Sequence, residues 1–208
     1  MKTLLPAVLI LSLFFTSCNQ HPPNEAQKIT PVDSGMPVNR NESDDSIVLS
    51  EPIVSSAKHY FSDPLSQDSF VAELPKGNIY RNSLYLKIYA AGNELIFVDS
   101  LSQTVFLSSE IYGYGTVQPQ VVSKDLHRGI AALFEEANFS LTGDKDAIKN
   151  ASAAQISNMI GWNEAVADSN QIVFSFFDAY PGTSYVTYSK KLKKGVVILK
   201  VPSEEDGD

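Results

Sequence analysis

The chain has 208 residues, a formal net charge of −8, three His and one Cys. That acidic balance excludes nucleic acid as a partner, because phosphate binding needs a clustered positive surface. A single Cys excludes an intrachain disulfide framework and an all-Cys zinc site. With 43% hydrophobic and 19% charged residues, the chain is globular rather than disordered overall.

Residues 1–17 read as a secretion signal. Lys2 supplies the positive start and Leu4 to Phe15 form an apolar run, shorter than the ~20 residues a bilayer core requires. The small residues Thr16 and Ser17 then precede Cys18, the only cysteine. Phe15-Thr16-Ser17-Cys18 resembles a bacterial lipobox, with Phe where Leu is commonest. The resemblance implies cleavage before Cys18, diacylation of its sulfur, and anchorage to a membrane. Each buried acyl methylene contributes about 0.8 kcal/mol, so two or three chains anchor stably. Asn19 follows the cysteine; by the sorting rule of such lipoproteins, the absence of Asp there implies the outer membrane.

Residues 18–51 form the next segment. Pro22, Pro23, Pro31 and Pro37 alternate with Asn, Ser, Asp and Glu, and no aromatic residue follows until Tyr60. Such a stretch buries too little apolar surface to offset its ordering entropy and is expected to be a flexible acidic tether. About 30 residues of this kind span roughly 30 Å on average. Ile47-Val48-Leu49 is a possible start of the fold inside this segment.

Residues 52–202 carry the globular domain, before an acidic tail over 203–208. Strand patterns fall at Phe70–Leu74, Leu84–Tyr89, Leu95–Val98 and, more weakly, Gln103–Leu107. The turn signal Gly92-Asn93 joins the middle two as a hairpin. Apolar residues Leu126, Ile130, Leu133, Phe134 and Ala137 draw one stripe on a helix predicted over Ser123–Phe139. A second helix is predicted over Ser152–Ile160, opened by Ser152 and Gln155 and closed by Gly161. Ile172–Phe177 is a further strand, and Tyr185–Ser189 with Val196–Val201 form a closing hairpin. Strands, then helices, then strands predict an α+β domain with a largely antiparallel sheet and one or two helices on one face. The alternative is a β-sandwich.

Chemical motifs are sparse. Ser55 and Lys58 have S-x-x-K spacing without its companion motifs. Gly113-Tyr114-Gly115 lacks the third glycine of a dinucleotide fingerprint. Asp144-Lys145-Asp146 opens like a calcium loop, but Ile148 breaks the ligand pattern. His127 reads as a solvated helix residue, and His59 stands near the domain edge. No cofactor or metal is therefore predicted.

Tyrosine is the notable feature. Tyr85 and Tyr89 share one face of a strand with Lys87 between them, and Tyr112, Tyr114, Tyr180 and Tyr185 lie on later segments. A ring with an apolar body and a polar tip suits glycan stacking or a protein interface. Packing beneath helices with the hydroxyl at the edge is the plainer reading of the same rings. The overall plan resembles the small outer-membrane lipoproteins of domain-of-unknown-function families, which bring no established activity. The expectation is a membrane-tethered binding module with a protein or glycan partner and no catalytic residues. The alternatives are an envelope hydrolase acting on glycan through a carboxylate pair drawn from Asp99, Glu110, Asp125 and Asp178, and a periplasmic enzyme inhibitor presenting the loop Ile111–Pro119.

Overall fold

Period-two alternation of apolar residues becomes, in the computed structural model, a set of antiparallel strands. The structure describes residues 47–107, 119–178 and 182–202. Cys18, the tether up to residue 46, Glu110, Tyr112, Tyr114, Tyr180, the tail, and the Ile111–Pro119 loop ahead of Pro119 lie outside these residues.

Two four-stranded sheets are present among the described residues. The first orders β2 (Ile53–Asp63), β3 (Ser66–Leu74), β5 (Ser83–Tyr89) and β6 (Leu95–Ser102) side by side. A small ladder joins β1 (Val48–Leu49) to β4 (Gly77–Asn78). Ile47 and Leu49 are buried in the core, so the fold takes in residues ahead of Pro52. The second sheet runs in the order β10 (Lys194–Pro202), β9 (Gly182–Ser189), β8 (Ile172–Asp178), β7 (Phe139–Leu141). Every ladder is antiparallel. The class is α+β, as predicted, but the strands divide over two sheets where the sequence suggested one.

Helices divide as well. Helix α1 (Pro119–Ala132) buries Val122, Leu126 and Ile130 in the core that the two sheets share. Helices α2 (Asp146–Lys149) and α3 (Met159–Ala167) place Ile148 and Ala165 in a second core with Val173, Val196, Ile198 and Leu199 of the second sheet.

The predicted elements shift for identifiable reasons. Helix α1 begins at Pro119, whose ring pre-sets the first-turn φ and whose missing N–H costs nothing there. It ends before Phe139 because the Asn138 side-chain amide donates to the carbonyls of Ala132 (2.9 Å) and Leu133 (3.0 Å). Gln103–Phe106 is a 3₁₀ turn instead of a strand, with the Ser102 hydroxyl accepting from the Thr104 N–H. The helix predicted from Ser152 is only a 3₁₀ turn, Ala153–Gln155, in which Gln155 Oε1 accepts from the Ser152 N–H and hydroxyl. Helix α3 starts afresh at Met159, with Asn158 Oδ1 accepting from the Gly161 N–H at 2.9 Å.

Gly161 therefore lies inside a helix, not at its end. A Cβ built there would sit 2.4 Å from Val196 Cγ2, so the missing side chain lets α3 approach the sheet. Substituting Gly161→Ala gains about 1 kcal/mol of helix propensity but forces α3 off the sheet, for a net loss of about 1–3 kcal/mol. A lower urea midpoint for G161A is the expected result; a raised midpoint would refute the close-approach role.

The shared core centres on Phe70, fully buried on β3. Its ring meets Phe61, Phe134, Phe139 and Phe174 edge-on at centroid distances of 5.5, 6.0, 5.1 and 5.3 Å. His59 approaches the same ring edge-on at 5.8 Å and stacks on Phe139 at 3.5 Å. Aromatic pairs of this geometry add roughly 0.5–1.5 kcal/mol each beyond area burial. Phe70→Ala should cost about 3–5 kcal/mol, measured by urea unfolding, with Phe70→Leu losing clearly less.

Candidate functional site

Strand pairing fixes which side chains share the outer face of the first sheet. On β3 and β5, Phe70, Ala72, Leu74, Leu84, Leu86 and Ile88 point into the core. Their alternates must then point away. Register places Val54, Glu73, Tyr85 and Ser100 in one row across the sheet. The next rows are Ser56, Val71, Lys87 and Val98, and then Lys58, Ser69, Tyr89 and Leu95. Tyr60, paired with Gln67, extends the face at one end of β2.

This face is open. Tyr85 is 41% exposed, Tyr60 49%, Val54 58% and Val98 56%, and Tyr89 is half-buried. Lys87 Nζ donates to Glu73 Oε2 at 3.1 Å and lies 5.8 Å from the centroid of the Tyr85 ring. Packing under helices, the alternative considered for these tyrosines, does not describe Tyr85.

Tyr185 lies elsewhere. It is on β9 of the second sheet, half-buried against the second core, so the structure does not bring it to the face of Tyr85 and Tyr89. Loss of solvent raises its hydroxyl above the ordinary value of 10.0. Of the other tyrosines named from sequence, Tyr112, Tyr114 and Tyr180 fall outside the described residues. Tyr60 was missed, because β2 was not predicted as a strand. Its signal was the alternation Val54, Ser56, Lys58, Tyr60 against Ile53, Ser55, Ala57, His59, Phe61.

The candidate carboxylates occupy separate elements. Asp99 on β6 accepts from the Ser100 N–H at 2.8 Å. Asp125 on α1 is buried and accepts from Arg128 at 2.8 Å. Asp178, ending β8, accepts from the Ser184 hydroxyl at 3.0 Å and from Lys200 Nζ. Ser55 and Lys58 occupy opposite faces of β2 by alternation, so the S-x-x-K spacing does not form a nucleophile–base pair. His127 is exposed on α1. Among the described residues no group of three or more His, Cys, Asp or Glu could hold a metal ion, and no helix is long and apolar enough to cross a membrane. Comparison of the chain with protein-family models, curated proteins and solved structures finds no match.

The Tyr185 hydroxyl gives a pH test of its placement. Its folded-state pKa is raised, so the native state holds this proton more tightly than the unfolded chain. Its contribution to stability is complete below the unfolded tyrosine pKa of about 10 and is lost as pH climbs through the folded value. Tyr185→Phe should therefore flatten the fall of the urea midpoint above pH ~10. An identical alkaline fall in wild type and Y185F would show that the hydroxyl is freely solvated.

Proposed function

We propose that the chain is a lipid-anchored module of the bacterial cell envelope that binds its partner through the outer face of the first sheet. The observation that carries the binding role is the run of Tyr85, Lys87 and Tyr89 along the outer side of β5, with Tyr85, Tyr60, Val54 and Val98 exposed on that face. An antiparallel sheet buries one face and leaves the other free for solvent or a partner. Here the free face carries aromatic and aliphatic side chains around a self-compensated Lys87–Glu73 pair. Anchorage is supported by the lipobox-like Phe15-Thr16-Ser17-Cys18, and reach by the Pro-rich acidic stretch that follows it. Asn19 favours the outer membrane by the lipoprotein sorting rule. The partner is a glycan or a protein.

Anchorage has a direct test. Cells expressing the full chain and fed an alkyne fatty acid should yield labelled protein in the membrane fraction. Cys18→Ser should abolish both the labelling and cleavage of the leader. Unlabelled wild-type protein that retains residues 1–17 would remove the anchor and the location inferred from it.

A further inference from the structure

Resting on the binding role proposed above, we infer that the ligand of the open sheet face is an extended, uncharged glycan chain laid along Tyr85, Tyr89 and Tyr60. Tyr85 and Tyr89 project from one strand with Lys87 between them, so their Cα atoms are about 13 Å apart at 3.3–3.4 Å per residue. Tyr89 shares its row with Ser69 and Lys58, and Tyr60 stands one same-face step beyond Lys58. With strands about 4.8 Å apart, Tyr60 is roughly 12 Å from Tyr89. Each step spans a few linked sugar rings, and the three tyrosines make a bent track rather than a single stacking point.

Side chains between the tyrosines fit the same ligand. Ser56, Gln67, Ser69 and Ser100 lie on this face by register and offer hydroxyl and amide groups to sugar hydroxyls. Tyrosine supplies the flat apolar surface that the C–H face of a sugar ring stacks on, plus a polar tip. The charge of the face is small. Lys87 and Glu73 neutralise each other, leaving Lys58 as its remaining charge, on a chain of net −8. A nearly neutral face of hydroxyl, amide and aromatic groups offers an uncharged polymer hydrogen bonds and stacking without calling for paired charges.

Size favours the polymer too. Three full rows of four residues and a fourth of two, at about 32 Å² each, cover roughly 450 Å², little more than half of the ~800 Å² per partner that a stable protein interface uses. A single glycan strand fills such a strip along its length.

The test uses the full chain purified in detergent, with an array of linear hexasaccharides: β-1,4-glucose, β-1,4-N-acetylglucosamine, β-1,3-glucose and α-1,4-glucose. At least one hexamer should bind, at least tenfold tighter than its own disaccharide, because only the longer chain reaches more than one tyrosine. Tyr85→Ala and Tyr60→Ala should each weaken that binding at least fivefold, while His127→Ala leaves it within twofold. Thermal melts of each variant separate lost binding from lost fold. Failure of all four hexamers to bind overturns the glycan. If Y85A and Y60A then still abolish a photo-crosslink from the face to an envelope protein in intact cells, the binding role stands with a protein partner. If those substitutions change neither glycan binding nor crosslinking, the binding role of the face falls with it.

Discussion

One ring holds the layers together. Phe70 takes edge contacts from β2 through Phe61, from the residues after α1 through Phe134, and from the second sheet through Phe139 and Phe174. Strand β2 needs that ring more than its neighbours do. Its inward positions include Ser55 and Ala57, which bury little apolar area, so Ile53 at one end and His59 with Phe61 at the other carry its attachment to the core. The buried polar group beside them is satisfied locally: the fully buried Asp68 accepts from the Ser62 N–H at 2.6 Å and the Ser62 hydroxyl at 2.9 Å. Those bonds fall where the β2–β3 pairing shifts register between Tyr60 and Asp63, so the carboxylate takes up a donor that the regular ladder leaves without a strand partner there.

Because stability is concentrated on the inward side, the outward side of the first sheet is free of packing duty. Val54, Tyr60, Tyr85 and Val98 can stay exposed without loosening the core. Loss of one of them removes surface, not a cavity, and surface substitutions ordinarily change stability little. That separation is what allows a binding role to be tested by substitution on this face. The same logic does not extend to Tyr185, which packs against the second core and whose loss would be felt in folding.

Local alternation was readable where both faces of a strand are distinct. The β5–β6 and β9–β10 hairpins follow their sequence patterns, including a left-handed Asn93 at φ 63° in the first turn. The alternation of strand β2 is weak, since Ser55, Ala57 and His59 on its inner side blur the period-two signal. Alternation tells which residues share a face of one strand. It cannot tell which sheet that strand joins, because sheet membership is decided by pairing between residues distant in sequence. Hence Tyr85 and Tyr89 were correctly grouped from one strand, while Tyr185 was grouped with them and belongs to another sheet. Gly161 failed for a different reason. Glycine ends helices and also lets helices approach a sheet closely, and only the position of Val196 across the gap distinguishes the two uses.

A face of roughly 450 Å² has a consequence for how such a module would work. Area of that order, with no enclosing pocket walls required, gives modest affinity once the loss of translational freedom is counted. The proposed anchorage would compensate: a body held by about 30 flexible residues would explore a volume some 30 Å in radius and meet ligand there at an effective concentration in the millimolar range. Under the proposed anchorage, weak contacts along Tyr85, Tyr89 and Tyr60 are then enough to keep the module seated on an envelope polymer, and the same weakness lets it slide or release. Tight binding would add nothing that proximity does not already provide. Under the proposed function, the exposed face and the acidic stretch before Ile47 would be two parts of one arrangement: reach would supply concentration, and the sheet selectivity.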